Sequence, residues 1–433
     1  MFTLVGVAIS ITVALFAGCA RNGYDDYQGG KKPDNEGGPD ADAIDVGDDL
    51  VDEDGLVDDA DAADPKIRKG FNGGFSTPMD GYLKCKINDI DVSKNNLLVQ
   101  CGPLSNGTFK IAIPSDPTAS ARAEVNNVAP MRVELDDGSV LVSNSEQVVE
   151  AGGGLFVPFN LNDAPAICGV AYSDAEGGAV KMILDPLTSA TPYRVRSVAV
   201  ADDADGAQRL FVLASDKNAK DAGVVVSYPL GEDGELDPIA EGSVIPLKGK
   251  KPAAMEKVDA ETAIVLDADS SAPAIEVVKL NSADPLVASE SFPLPEPVLP
   301  LSEIATDGKH AIIPAASGAL LVFDIEQRAV VGTLAGTGQA QGVAVEGGKV
   351  YLSYWNDIHI VDISDPAHPV LEQEIEDVGK HLGAIAVKSG IIYVAATARW
   401  WEGNDVVADC LAGDPTVVCR SHIIAIDPKK VNP

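Results

Sequence analysis

From about Phe71 to the C-terminus the chain repeats one pattern: four to seven residues of Val, Ile, Leu and Ala, then a polar break of Gly, Asp, Asn or Pro. Apolar runs of that length between turn-formers predict β-strands, and no segment sustains the 3.6-residue period of an amphipathic helix. The pattern also repeats on a longer scale. AQGVAVEGGKVYLSYWNDIHIVDISDPAHPVLEQEIE begins at Ala340, and LSEIATDGKHAIIPAASGALLVFDIEQRAVVGTLAG begins 39 residues earlier, at Leu301. LGAIAVKSGIIYVAATARWW begins at Leu382 and resumes as HIIAIDPKKV after an insertion. The third strands end as LLVFDI, IHIVDI and IIAIDP, which puts Asp324, Asp362 and Asp427 at one repeat position. An Asp there is expected to open the turn into the outer strand by accepting backbone N–H groups two residues on, helped in one unit by Asp365-Pro366.

Weaker copies begin at Arg196 and at Pro252, and PMRVELDDGSVLVSN, from Pro130, supplies only the first two strands of a unit. The stretch from Cys168 to Arg194 is too compressed to assign to a unit. A period near 40 with three or four strands per repeat predicts an all-β propeller, because one such sheet cannot cover both its faces and must stack radially on its neighbours. The roughly 360 residues from 71 to 433 allow six to eight blades, and seven is the expectation. A pair of β-sandwiches or a solenoid is the alternative.

The first seventy residues follow different rules. Phe2 to Ala17 are uncharged and apolar but for Ser and Thr, too short to span a bilayer and suited to a secretory signal. The following LFAGC resembles a bacterial lipobox, although Phe16 stands where Leu is usual and no basic residue precedes the apolar run. The resemblance implies a signal peptide over 1–18 and a fatty-acylated (palmitate-bearing) Cys19 as the mature N-terminus. Ala20, rather than Asp, then leans towards the outer membrane or cell surface. A plain secretory signal with an incidental cysteine is the alternative.

Charge sharpens the boundary. The chain carries a formal net charge of −34, and −13 of it falls between Ala20 and Pro65, where sixteen acidic residues face Arg21, Lys31 and Lys32. Residues 19–70, rich in Asp, Gly, Ala and Pro, cannot bury enough apolar surface to offset their ordering entropy, so they read as a disordered, self-repelling tether. Within it Asp52, Asp54, Asp58 and Asp61, around Gly55, resemble part of a calcium-binding repeat; Leu50 occupies its first acidic position, and a solvated charge run is the plainer reading. The acidity makes nucleic acid a poor partner.

Six cysteines divide into Cys19, two close pairs and Cys168. In an oxidising compartment Cys85 with Cys101, and Cys410 with Cys419, are expected to form local disulfides, though other connectivities satisfy the spacing. Cys168, in APAICGVAYS, reads as a buried inert thiol.

Catalytic signatures are weak. None of His310, His359, His368, His381 and His422 stands at a metal-ligand spacing. No G-x-S-x-G elbow occurs, and GTGQAQG, from Gly336, lacks the Lys and helix of a phosphate loop and reads as a link between blades. The inserted ARWWEGNDVVADC brings Arg399, Trp400 and Trp401 together, with Trp355 in a turn of the neighbouring unit. Trp and Arg are the side chains most enriched at binding hot spots, and a disulfide would lower the ordering cost of such a loop. The alternative is that the tryptophans cover a blade edge or plug the channel.

IHIVDISDPAHPV resembles the LVIVD repeat of bacterial surface propellers, and the other units resemble the broader YVTN-type group. The resemblance implies a propeller on an extracytoplasmic lipoprotein but no particular activity. The expected function is a lipid-anchored binding module facing a protein or glycan partner at the cell envelope, with no catalytic residue assigned. The second expectation is a lactonase-like hydrolase with a metal in the central channel, which needs at least three carboxylate or amide oxygens converging on the axis.

Overall fold

The computed structural model describes residues 86–431, apart from 103–106, 119–124, 127–131, 135–139, 143–147, 152–153, 161–167, 175–180, 185–192, 203–205, 217–221, 231–242, 281, 283–287, 299–302, 337, 377 and 399–421. Its strands form seven antiparallel meanders in chain order. Blade 1 is β1–β4 (86–126), blade 2 is β7–β10 (149–184), blade 3 is β11–β14 (193–246) and blade 4 is β15–β18 (252–293). Blade 5 is β19–β22 (305–334), blade 6 is β23–β26 (342–375) and blade 7 is β27–β29 (380–426). The architecture is an all-β, seven-bladed propeller. Among the described residues the one helical turn is a 3-10 helix, Pro428–Lys430.

Why these runs become blades is visible in their burial. Middle strands are apolar along their length because both faces are covered: Thr262–Asp267 buries five of six residues and Ala274–Lys279 another five. Outer strands such as Val370–Ile375 are exposed on most positions and correspondingly polar. Each face packs on the next blade. Ile264, Leu266 and Ile275 of blade 4 meet Ala311, Ile313 and Phe323 of blade 5, and Tyr351 and Ile360 of blade 6 meet Ile392 and Val394 of blade 7. The ring closes where Ile87, Ile90, Leu97 and Val99 of blade 1 pack on Ala384, Tyr393 and Ile423 of blade 7.

Turn chemistry follows the repeat. Asp362 accepts from Ser364 N at 2.8 Å, Asp427 from Lys429 N at 3.1 Å and Asp324 from Gln327 N at 2.7 Å, so the shared Asp does open each turn. Two sequence assignments are refined. The Pro130 segment is not the start of a blade: among the described residues Arg132–Glu134 and Val140–Val142 pair only with each other, as a two-stranded hairpin (β5–β6) between blades 1 and 2. The compressed stretch after Cys168 supplies Cys168–Asp174 and Lys181–Leu184, the third and fourth strands of blade 2.

Blades also approach closely enough to exclude side chains. A Cβ on Gly342, at the head of the innermost strand of blade 6, would lie 2.7 Å from the Gly383 carbonyl of blade 7. Hydroxyls stitch the same seam and others: Ser353 Oγ donates to Gly383 O at 2.6 Å, and Ser197 Oγ of blade 3 donates to Met255 O of blade 4 at 3.0 Å.

Candidate functional site

The channel is lined by the innermost strands, and the pairing register shows which residues share a level. Asp89 pairs with Gln100, Ser197 with Leu213, Ala254 with Leu266 and Gly342 with Ser353. Glu303, two residues before Ala305, occupies the same level in blade 5. Two residues further along lies the second level, with Asp91, Ala199, Glu256, Ala305 and Ala344. Most positions are therefore Ala, Gly or Ser, and four are carboxylates. In β1 and β11 (Lys86–Ser93 and Tyr193–Asp202) a β-bulge just before this level, at Ile87/Asp89 and Val195/Ser197, aims the side chain that follows.

The carboxylates sit across the ring from one another. Asp89 and Asp91 come from blade 1; Glu256 and Glu303 come from blades 4 and 5, the two most distant from blade 1 in a ring of seven. Asp91 is exposed, whereas Asp89, Glu256 and Glu303 are part-buried. Their fields overlap. Burial first, then the charge of Asp91, pushes Asp89 up to about 7, against the backbone N–H groups of Val148 and Ile90 that pull it down. Burial, then Asp91 and Asp89, pushes Glu256 up to about 8. Burial and the charge of Asp89 push Glu303 up to about 8, with Glu256 adding to the rise, although Val343 N–H donates to it. Asp91 is exposed as a residue, yet partial desolvation of its carboxyl still raises it. Desolvation and like charge both favour the neutral acid, so these groups hold protons at pH values where exposed carboxyls have none.

Two of them also bind the next blade. Asp89 accepts from Val148 N at 3.0 Å, at the head of blade 2, and Glu303 accepts from Val343 N in blade 6. Glu256 has no hydrogen-bond donor among the described residues; its neighbour Lys257 donates from Nζ to Val200 O at 2.9 Å and acts on Glu256 by charge alone. Among the described residues no three His, Cys, Asp or Glu side chains stand together closely enough to hold a metal ion. The convergence expected of a metal hydrolase is thus present as charge but not as a ligand set.

A second feature lies at one end of the channel. In an antiparallel meander the turn between the second and third strands falls at the same end as the linker into the first. Trp355, 54% exposed, occupies such a turn in blade 6. Its carbonyl accepts from Leu382 N of blade 7 at 3.0 Å, and its ring meets His381 edge-on at 4.6 Å. His381 has a positive φ of 50°, uncommon for a residue with a Cβ. Tyr354, beside it, meets the His359 ring in a tilted contact at 4.3 Å. Ala398 ends β28 and His422 begins β29, so the described strand ends that flank 399–421 lie at this same end.

Of the site residues expected from sequence, Trp355 is therefore placed, on the surface. Cys101 is placed by its backbone alone, opposite Ile87. Cys19, Cys85, Cys410, Cys419, Arg399, Trp400, Trp401 and the tether residues Asp52, Asp54, Asp58 and Asp61 lie outside the described residues. His359 lies in a strand beside Glu374, and His368 lies in a turn beside Asp365, as expected of packing and surface residues. The channel carboxylates were missed by sequence reasoning. The usable signal was comparative: Asp89, Asp91, Glu256 and Glu303 stand where other repeats carry Ala, Gly or Ser.

Comparison with known proteins agrees with the geometry. Residues 337–377, which span blade 6, match the LVIVD repeat family. No curated protein sequence matches the chain. Among solved structures, the RRP9 WD40 repeats superpose with a TM-score of 0.51 at 12% identity, over 79% of this chain and 94% of that one. A structure of U3-55K does so with a TM-score of 0.51 at 11% identity, over 79% and 95%. At such identity the likeness shows the fold alone. Fold, ring closure and repeat together make this chain a seven-bladed β-propeller that carries an LVIVD repeat in its sixth blade.

Proposed function

We propose that the chain is a lipid-anchored, extracytoplasmic binding module that presents the linker end of its propeller to a protein or glycan of the cell envelope. The observation that carries this reading is Trp355, a large aromatic side chain left exposed at the end where the Arg399-Trp400-Trp401 insertion leaves and rejoins blade 7. An exposed Trp packed edge-on against His is the composition of an interface core rather than of a solvated turn. The LFAGC motif supports attachment through Cys19, and the acidic segment 19–70 supports a spacer that holds the propeller off the membrane. A second reading, a hydrolase using a channel metal, has the acidic residues but not, among the described residues, the convergence of three ligands that such chemistry needs.

The binding reading is tested by crosslinking and recovery from the native envelope. Trp355→Ala is expected to reduce recovery of the crosslinked partner by about tenfold or more, the loss of a hot-spot side chain, with the unfolding midpoint unchanged. Cys19→Ala is expected to move the chain from the membrane to the soluble fraction. Undiminished crosslinking by the Trp355 variant would refute the proposed face, and a membrane-bound Cys19 variant would refute the anchor.

A further inference from the structure

The chain has 66 acidic residues against 32 basic ones, yet the linker from blade 3 to blade 4 reads LKGKK over 247–251, three lysines in four positions. Lys248, Lys250 and Lys251 are exposed, while Leu247 and Gly249 between them are buried. Lys248 and Lys250 have no ion-pair partner among the described residues, and Lys251 reaches only Asp269, at 3.7 Å. The loop is held from beneath. Glu276, with no exposed surface, accepts from Lys248 N and Gly249 N, and buried Asp267 accepts from Lys251 N at 3.1 Å. Buried carboxylates thus take the backbone donors and leave the ammonium groups outside. The loop has its shape before anything binds, which lowers the ordering cost of a contact.

The complementary charge lies on the same chain, where sixteen acidic residues face three basic ones between Ala20 and Pro65. Lys86 opens β1 and the lysine linker opens β15 (Pro252–Lys257), both innermost strands, so the N-terminal segment and the lysines meet the propeller at the same, linker end. Twenty-four residues separate Asp61 from Lys86. A coil of that length averages roughly 25–30 Å end to end, against a blade roughly 15–20 Å wide, so acidic positions reach from blade 1 across the channel mouth. Attachment at that range sets an effective concentration on the order of millimolar. Lys94 and Lys309, also exposed, stand singly in turns between first and second strands, at the opposite end.

We propose that the linker 247–251 is a docking site for the chain's own acidic segment, residues 40–65, which turns back over the channel mouth and sets its carboxylates against Lys248, Lys250 and Lys251. Exposed ion pairs contribute little singly, so the contact depends on their number and on the short chain that joins the two parts. It gives the segment two reaches: docked at low ionic strength, and extended once salt screens the lysines. The contact shares the linker end with Trp355 but rests on neither that residue nor Cys19.

The test is carbodiimide crosslinking, which joins an amine to a carboxylate only where the two touch. It is run on the full-length chain in neutral detergent at low ionic strength, with unlabelled and nitrogen-15-labelled protein mixed equally. We expect residues 40–65 to join Lys248, Lys250 or Lys251 of the same chain at least about fivefold more often than Lys94 or Lys309, and at least about fivefold less in about 0.5 M salt. Lys250→Gln is expected to lower crosslinking at Lys248 and Lys251, both still present, at least about twofold with the unfolding midpoint unchanged. Asp52→Asn, Asp54→Asn, Asp58→Asn and Asp61→Asn together should do the same to the carboxylates that remain. Absent crosslinks, crosslinks spread evenly over the exposed lysines, or crosslinks indifferent to salt or to Lys250→Gln would each overturn the proposal and leave a solvated charge run. Crosslinks confined to pairs of unlike isotope would overturn it in favour of a second copy. None of these outcomes bears on the Trp355 face, which is tested separately.

Discussion

Replacing Glu276 with Ala should destabilise the propeller by about 3–5 kcal/mol, more than any substitution at the turns or outer strands. Glu276 lies in Ala274–Lys279, the third strand of blade 4, and has no exposed surface. Its carboxylate accepts from Lys248 N at 3.0 and 3.1 Å and from Gly249 N at 2.6 Å. These consecutive N–H groups belong to the linker that carries the chain from blade 3 to blade 4, and neither is bonded within a sheet ladder. Asp267 completes the clamp by accepting from Lys251 N at 3.1 Å, and Gly249 leaves no room for a Cβ beside it. Truncation to Ala strands the buried Gly249 donor and the part-buried Lys248 donor, removes charge-assisted bonds and opens a cavity between packed sheets, three costs that add at one place. Glu276→Gln keeps an acceptor oxygen for one donor and should lose about half as much. Urea unfolding of the three proteins checks the order; an Ala variant within about 1 kcal/mol of the parent would show that water satisfies the linker.

Residues of this kind mark the limit of what was legible in the sequence. The propeller class, an expected seven blades out of an allowed six to eight, and the turn role of Asp324, Asp362 and Asp427 could be read from strand runs and one repeat period, because each depends on local chemistry recurring in register. Glu276 could not be. AIEVVK looks like a strand with a polar residue on a solvent face, yet both faces are buried and the Glu is retained for a linker 27 residues earlier. The Pro130 hairpin misled for a related reason: two short strands and a turn satisfy the repeat pattern whether or not a third strand joins them. Asp89, Asp91, Glu256 and Glu303 are scattered over more than two hundred positions, and only closure of the ring brings blade 1 opposite blades 4 and 5. The Trp355 turn was readable as a turn, but its exposure depends on how His381 and Leu382 of the next blade pack beneath it.

The channel carboxylates make stability fall as pH rises, opposite to the usual behaviour of paired acids. Asp89 is raised from 3.8 to about 7, and Glu256 and Glu303 from 4.5 to about 8. Groups whose folded pKa exceeds the unfolded one keep protons that the unfolded chain has lost, so their stabilising contribution is complete below about pH 4 and disappears as pH passes 7 to 8. One such proton corresponds to about 1.4 kcal/mol per pH unit at most. Because the three groups interact with one another and retain surface facing the bore, a total loss on the order of 2–4 kcal/mol between pH 5 and pH 8 is the reasonable expectation. At the acid end Asp307, which burial pushes up but His310 and the adjacent backbone N–H groups together hold below its ordinary value, works in the other direction and loses its contribution as pH falls through its lowered pKa. Together these place the stability maximum near pH 5, with a decline on the alkaline side that Glu256→Gln and Glu303→Gln flatten. Denaturant midpoints across pH 4 to 9 measure this, and a parent midpoint that is level or rising from pH 5 to 8 would mean the four carboxylates are neutralised by something other than their own protons.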